Sequence, residues 1–589
     1  MVATDTRANV DSLAALTYRD SVLLRNGRAH RMLAGAVHYF RVHPDQWEDR
    51  LRRLAAMGAN TVDTYVAWNF HEEIEGAPRF DGWRDVERFI RLAGDVGLDV
   101  YVRPSPYICA EWSNGGLPSW LTGRTRRVRS SDPTYRAAVE SWYAELLPRL
   151  APLQAVHGGP IVAVQIENEY GSFGSDREHL HHQRDLLRQH GIVELLTTAD
   201  GITAGMQAHG TVEGAMPSFT FGTGVPTALD LLPPSTPLVC SELWGGWFDH
   251  WGERHHVRSA RSMIGTVDEL LAAGGSVSLY MAHGGTNFGL WNGANWDGGL
   301  QPTATSYDSD APIAEDGRVG AKFEALRASF APFHDGPLPE LPAGPRFQDP
   351  QTATLTAEAS LIAAVRALAA SGPHPHPATF EELGVAEGLI AYETTAIVEA
   401  GENVLALKGL HDRATVFVDG TRVATLDRDG ETSTALPVSD RPVVITLIVE
   451  NLGRINYGPK IGEHKGILEG VLLGRRYVHG WTHRVIPMDA PQPIGATGTD
   501  GYAVAELDVA DPADAWLAFP GGVKGFVWVN GFLIGRYWNV GPQTTLYAPA
   551  PLWRAGRNTV RVLDLEHLGS AVEVRDEPEL GEIEEFIGS

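Results

Sequence analysis

Between residue 21 and about residue 335, short apolar runs alternate with segments of helical periodicity. The runs are Leu33–Phe40, Thr61–Val66, Leu98–Arg103, Ile161–Glu167, Leu195–Thr198, Ala215–Phe221, Leu238–Glu242 and Ser276–Met281. Each has the length of a strand, and Ile161–Glu167, apolar in five of its first six positions, reads as buried on both faces, as in a parallel sheet. The segments between carry helix grammar. Asp45 and Glu48 form a D-x-x-E box after Pro44, Trp47, Leu51 and Leu54 recur at helical spacing, and Gly58 ends the run. Phe89, Ile90, Ala93 and Val96 stop at Gly97, Asp132-Pro133 opens a helix with Val139, Trp142, Tyr143 and Leu146, and Gly191 closes the helix after the fourth strand. Eight strands alternating with helices predict an α/β fold, a (β/α)8 TIM barrel, whose chemistry would sit at the strand C-terminal ends.

The pattern breaks at FAPFHDGPLPELPAGPRFQD (330–349), which is rich in Pro and Gly and has no period. From about residue 355 alternating runs replace helices. Ala414–Val418 leads into Asp419-Gly420 and Phe526–Val529 into Asn530-Gly531, two hairpin signals whose similarity suggests two sandwiches of one type. The expected division is a barrel over 1–335, a linker over 336–354, a first β domain over 355–490 and a second over 491–589. The second ends in RDEPELGEIEEF, read as either a packed edge or a solvated tail.

A chain of 589 residues is too long for one core. Its 48 Lys and Arg against 73 Asp and Glu leave a net charge of −25, a field that repels phosphate backbones and anionic membranes. Nucleic acid and membrane partners are therefore not expected. No apolar run approaches the ~20 residues of a membrane span, and MVATDTRANVDSLAAL lacks the basic-then-apolar order of a signal peptide, so a cytoplasmic location is expected. The two cysteines, Cys109 and Cys240, lack metal-ligand spacing, and neither a metal nor another cofactor is expected. The pattern leaves the oligomeric state open between monomer and homo-oligomer.

Candidate chemistry concentrates where strands end. After Ile161–Ile166 come Glu167, Asn168 and Glu169, and after the seventh run comes Glu242, followed by the aromatic, glycine-rich Leu243–Trp247. Carboxylates at the mouth of a barrel are costly without partners or a task, and two facing one site suit general acid and nucleophile work on a glycosidic bond. Trp68, Tyr107, Trp112, Trp120, Tyr170, Trp244, Trp247, Trp251, Trp291 and Trp296 cluster in the same loops, with several asparagines. Aromatic faces and amides suit the apolar C–H faces and dense hydroxyls of sugars. Strand alternation would put Glu167 on the same side as Glu169 and one layer deeper, in a structural role.

The stretches AVHYFRV (36–42), NTVDTYVAWNFHE (60–72), RPSPYICAEWSNGGLP (103–118), VQIENEYGS (164–172), SELWGGWFDHWG (241–252) and GGTNFGLWNGAN (284–295) resemble the family 35 glycoside hydrolases, the β-galactosidases. The likeness continues through VENLGRINYG (449–458) and FPGGVKGFVWVNGFLIGRYW (519–538) and so covers nearly the whole chain. It implies two jelly-roll-like sandwiches after the barrel and a retaining, exo-acting β-galactosidase taking small β-galactosides or oligosaccharides. Glu169 would be the proton donor and Glu242 the nucleophile. Asn168 would meet the sugar 2-hydroxyl, with Tyr65, Ala110 and Glu111 on the galactose hydroxyls and Trp244 and Tyr307 as further substrate contacts. Like charges on Glu167 and Glu111 would keep Glu169 protonated. The chain departs from the family at Trp244, where a tyrosine beside the nucleophile is common, at Ser309, where some relatives have a tyrosine, and at Asp63, where relatives can have glutamine. The same machinery on a β-glucosaminide or β-fucoside, or a sugar-binding protein with an inactive barrel, are the alternatives.

Overall fold

The computed structural model describes residues 14–588 apart from Ser105, Ser309, Ala490 and Gln492. Residues 1–13, read above for targeting, and the Ser309 departure lie outside the described residues. Eight parallel strands close a barrel: β1 (Leu33–Ala36), β2 (Thr61–Tyr65), β3 (Asp99–Arg103), β4 (Ile161–Gln165), β5 (Leu195–Gly201), β6 (Met216–Phe221), β7 (Val239–Trp244) and β8 (Ser276–Tyr280). They pair in chain order, β8 closing onto β1, as right-handed βα units require. Among the described residues no helix is long and apolar enough to cross a membrane.

The stop signals act as the sequence suggests. Gly97 takes φ 90° after the helix Val86–Val96, a left-handed cap that costs a Cβ-bearing residue more. Asp132 accepts from the backbone N–H groups of Thr134 and Tyr135, with Pro133 in the first turn. The expected box at Asp45 and Glu48 does not form. Asp45 sits in the 3₁₀ turn Pro44–Gln46, capped by His43, and the α-helix proper runs Trp47–Ala56, where Glu48 instead bonds Arg52 one turn on.

Two antiparallel sandwiches follow. In the first, a six-stranded sheet faces a four-stranded one across Ile390, Tyr392, Leu405, Val416, Leu447 and Val471. In the second, five strands face four across Leu507, Leu517, Val527, Leu546, Val562 and Val572. Both hairpin turns carry two residues of positive φ, Asp419 (48°) with Gly420 (86°) and Asn530 (50°) with Gly531 (88°), the requirement of a type I′ turn. The boundary expected at 355 does not match the pairing. Gln351–Thr354 pairs with Ala571–Arg575 and Thr356–Ala359 with Gly501–Val509, so both strands complete the second sandwich and the first is an insertion between its strands. Local periodicity cannot show a pairing partner more than 140 residues away.

Two contacts bring the β region to the barrel mouth. A strand in the loop after β8, Gly293–Trp296, pairs in parallel with Arg454–Ile455 of the first sandwich. The acidic segment packs: Ile583–Glu585 pairs in parallel with His255–Val257, which follows β7.

Candidate active site

β4 ends at Gln165, earlier than expected, because Glu167 and Glu169 take left-handed backbone at φ 52° and 46°. Strand alternation therefore no longer governs the two side chains. Glu167 turns outward rather than lying beneath Glu169. It accepts from Arg129 Nε at 3.1 Å and Nη2 at 2.8 Å and meets His179 Nε2 at 3.0 Å, all in fully buried surroundings. Burial alone would raise its pKa, but Arg129 and His179 outweigh it and hold the group at about 2. Glu167 is thus a structural anion that fixes the loop.

Glu169 faces a cavity of about 230 Å³, smaller than the ~300–1,000 Å³ that holds drug-sized ligands and of a size for one sugar ring. Tyr65, Ala110, Glu111, Asn168, Glu169, Glu242, Trp244 and Tyr307 all line it. The two glutamates have different partners. Among the described residues Glu169 receives one bond, from Thr220 Oγ1 at 2.9 Å. Burial first, and then the charge of Glu242, push its pKa up to about 7, with Glu111 adding and Thr220 opposing. Glu167, expected to contribute, is not among the chief causes, and its partner Arg129 acts in the opposite direction.

Glu242 Oε1 accepts from Arg103 Nη1 at 2.5 Å and from the Tyr65 hydroxyl at 2.6 Å. Among the described residues its Oε2 receives only the Trp244 indole N–H, at 3.4 Å. The tryptophan that departs from the family pattern thus still supplies a long bond to this glutamate. Arg103, fully buried at the end of β3, also bonds Asp63 Oδ2 at 2.6 Å, and Ser278 holds the same oxygen at 2.9 Å. Asp63 is therefore the second counter-ion of Arg103, below the mouth, and does not line the cavity. Asn168 Oδ1 accepts from Gln165 at 3.1 Å and lies 2.6 Å from the Tyr65 hydroxyl, leaving its NH2 to offer to the cavity.

Cys109, Ala110 and Glu111 are three successive non-glycine residues at φ 55°, 58° and 46°, each of which costs of order 1–3 kcal/mol. Surrounding bonds hold them there. Arg41 donates to Ala110 O, Gly293 N donates to Glu111 O at 2.7 Å, and Trp112 N closes on Cys109 O at 3.2 Å. Tyr307 donates to Glu111 Oε2 at 2.5 Å and Asn456 to its Oε1 at 3.3 Å. Tyr280 bonds Tyr307 at 2.9 Å, which extends the hydroxyl network along the wall.

Of the ten loop aromatics named from the sequence as a cluster, Trp244 and Trp247 are the two that line the cavity among the described residues. Trp68 and Trp112 are fully buried, the latter stacked on Trp291 at 5.3 Å, where they pack loops against the barrel. The sequence reading missed Arg103, Thr220, Tyr280, Phe248, Asn295 and Tyr457. Arg103 and Tyr280 end β3 and β8, so the reasoning that found Glu242 could have found them. Tyr457 comes from the first sandwich, carried in by the pairing of Arg454–Ile455, and has no signal in the barrel sequence.

Two carboxyl groups at the ends of β4 and β7, in one sugar-sized cavity rich in hydroxyl and aromatic groups, define a (β/α)8 glycoside hydrolase. Residues 22–332 match the model of the glycosyl hydrolases family 35, residues 377–489 that of the β-galactosidase first all-beta domain, and residues 502–558 that of the β-galactosidase galactose-binding domain. The chain is 39% identical to a β-galactosidase of Bos taurus over 94% of its own length and 90% of the relative's. It is 37% identical to a β-galactosidase of Homo sapiens, covering 95% and 88%, and 37% identical to a β-galactosidase-1-like protein of Mus musculus, covering 92% and 88%. The chain belongs to glycosyl hydrolase family 35.

Replacing Glu167 with Gln leaves Arg129 buried without its counter-charge, an expected cost of ~3–5 kcal/mol at neutral pH. The folded-state pKa of Glu167 is depressed from 4.5 to about 2, so its stabilisation is present above 4.5 and lost as pH falls toward 2. The stability gap between wild type and Glu167→Gln, read by urea unfolding, should therefore narrow between pH 5 and pH 3. A gap that stays constant contradicts the assignment.

Proposed function

We propose that this enzyme is a retaining, exo-acting β-galactosidase that releases terminal non-reducing β-D-galactosyl residues through a covalent galactosyl ester on Glu242. The observation that carries the reading is the unequal set of partners on the two glutamates. Arg103 and Tyr65 converge on Glu242 Oε1 and favour a carboxylate there, while Oε2, with only the long bond from Trp244, is free to attack. Glu169, with no cation bonded to it and a pKa near 7, starts as the acid.

In the first step Glu242 Oε2 bonds the anomeric carbon as the bond to the leaving oxygen breaks, and Glu169 gives its proton to that oxygen. Forming the ester neutralises Glu242, which removes the second cause, after burial, that holds the Glu169 pKa up. Glu169 then takes a proton from water, whose oxygen displaces Glu242 from the anomeric carbon and completes hydrolysis with retention. The Asn168 NH2 suits the 2-hydroxyl, where a bond strengthens as charge develops at the neighbouring carbon. Glu111, held by Tyr307 and Asn456, accepts from further hydroxyls, and the Trp247 face suits the apolar side of the ring.

A panel of nitrophenyl β-glycosides tests the substrate. Turnover of the galactoside well ahead of the glucoside, glucosaminide and fucoside is expected, and a faster glucosaminide or fucoside would reassign the sugar.

Azide rescue tests the roles. In Glu242→Gly, azide entering the vacated lower face of an activated β-galactosyl substrate should yield the α-azide, and in Glu169→Gly, where the ester still forms, the β-azide. The opposite pair of anomers would exchange the two roles.

The pH profile tests the acid. Because Glu169 must begin protonated, kcat/KM on a substrate with a poor leaving group should fall as pH rises through about 7. The same limb should vanish in Glu169→Gln, whose residual rate on that substrate should be lower by ~10²–10⁴-fold. A limb that survives the substitution belongs to another group.

A further inference from the structure

The acidic segment 582–588 has no place in the chemistry above, yet it is built against the wall of the cavity. His255 N donates to Glu582 O at 2.9 Å and Phe586 N donates to Val257 O at 2.8 Å, so the segment is clamped at both ends of its pairing with His255–Val257. Residues 583–585 are exposed, whereas Phe586 is half-buried and Gly588 buried. The Phe586 ring lies 4.9 Å from that of Trp247 and 5.0 Å from that of His256. A Cβ on Gly588 would fall 2.4 Å from Trp247 Cζ3 and 2.9 Å from Trp244 Cε3, while one on Gly222 would fall 2.2 Å from Gly588 O. Gly588 is therefore wedged between the backbone after β6 and two indoles that line the cavity, and glycine alone fits.

The paired strand is tied to the same wall. Arg258, next after it, donates to Trp244 O at 2.6 Å and Gly222 O at 3.0 Å, and Asp249 holds His255 Nδ1 at 2.8 Å and His256 N at 2.8 Å. Inward, Trp247 stacks on Phe248 at 4.9 Å, and both line the cavity. Indoles open to a cavity on one face keep a fixed position only if the other face is supported. Phe586 and Gly588 supply that support.

We infer that residues 582–588 are a positioning strap of the active site, which acts through Trp247 and Trp244 to set the width of the sugar cavity and so the affinity for the bound glycosyl unit. The inference rests on that cavity being the sugar site. The strap touches no reacting atom, and the aromatic wall meets the sugar alike in ground and transition state, so its loss appears in KM rather than kcat. The bond from Trp244 to Glu242 is too long for its disturbance to dominate turnover.

The test uses the full chain with Phe586→Ala, Gly588→Val and Phe586→Tyr, measuring kcat and KM on a nitrophenyl β-galactoside, Kd for D-galactose by calorimetry, and the thermal midpoint. Phe586→Ala removes one aromatic contact and should raise KM and the galactose Kd by ~2–10-fold with kcat nearly unchanged. Gly588→Val pushes on both indoles from behind and should shift KM the same way and further. Phe586→Tyr keeps the ring and should keep wild-type KM. A thermal midpoint close to wild type is expected for both Phe586 variants, because the segment buries little else, and a modestly lower one for Gly588→Val, which forces a Cβ against both indoles. Wild-type KM and Kd in both Phe586→Ala and Gly588→Val overturn the inference, as does a loss confined to kcat or matched by loss of folded protein. If the wild type prefers another glycoside, the substrate reading falls by itself, and the strap is judged by the same ratios on that glycoside and its free sugar.

Discussion

A guanidinium buried at the end of a barrel strand has to be neutralised where it stands, since an unpaired buried ion costs several kcal/mol. Arg103 is fully buried and meets two carboxylates, Asp63 from β2 and Glu242 from β7, together with the Tyr65 hydroxyl. One cation thus ties three strands across the barrel and gives Glu242 a bonded counter-charge that, among the described residues, Glu169 does not have. Two carboxyl groups facing one small cavity cannot both ionise cheaply. Arg103 sits on the Glu242 side of the cavity, and the proposed division into nucleophile and acid rests on that asymmetry.

The strained turn at Cys109–Glu111 sets a second condition. Three left-handed residues in a row persist only when neighbours over-determine them, and here those neighbours come from far apart in the chain. Gly293, which holds Glu111 O, belongs to the strand paired with Arg454–Ile455, and Asn456, the next residue, reaches Glu111 itself. The second sandwich is locked to the same junction through Arg536, which bonds Glu450 at 2.9 Å and Asn292 at 3.0 Å. The β domains therefore do more than follow the barrel. Their docking fixes the loop that lines one side of the cavity, and the strap 582–588 backs another.

Much of this was legible in the residues. Apolar runs of strand length alternating with helical periodicity give the barrel, because burial on both sheet faces leaves no other pattern. Gly97, Asp132-Pro133, Asp419-Gly420 and Asn530-Gly531 mark their caps and turns because local sterics and hydrogen bonds decide them. Glu169 and Glu242 stood out because an acid at the end of an apolar strand is conspicuous, and specific motifs carried Tyr65, Ala110, Glu111, Asn168 and Tyr307.

Local geometry stops governing a side chain where the backbone leaves the strand, and neighbours in sequence need not be partners in space. Glu167 left the sheet and turned to Arg129 and His179, so it is not among the chief causes that raise Glu169. Most loop tryptophans went to packing, since a large ring gains as much from a core as from a sugar. Residues 351–359 joined a sandwich completed more than 140 residues later, and Tyr457 and the strap reached the barrel from other domains. The sequence by itself determined the elements and the two glutamates, whose signals are short-range. Tertiary structure alone decided their partners, and with them the electrostatics of the site, because charge and packing depend on distance in space rather than along the chain.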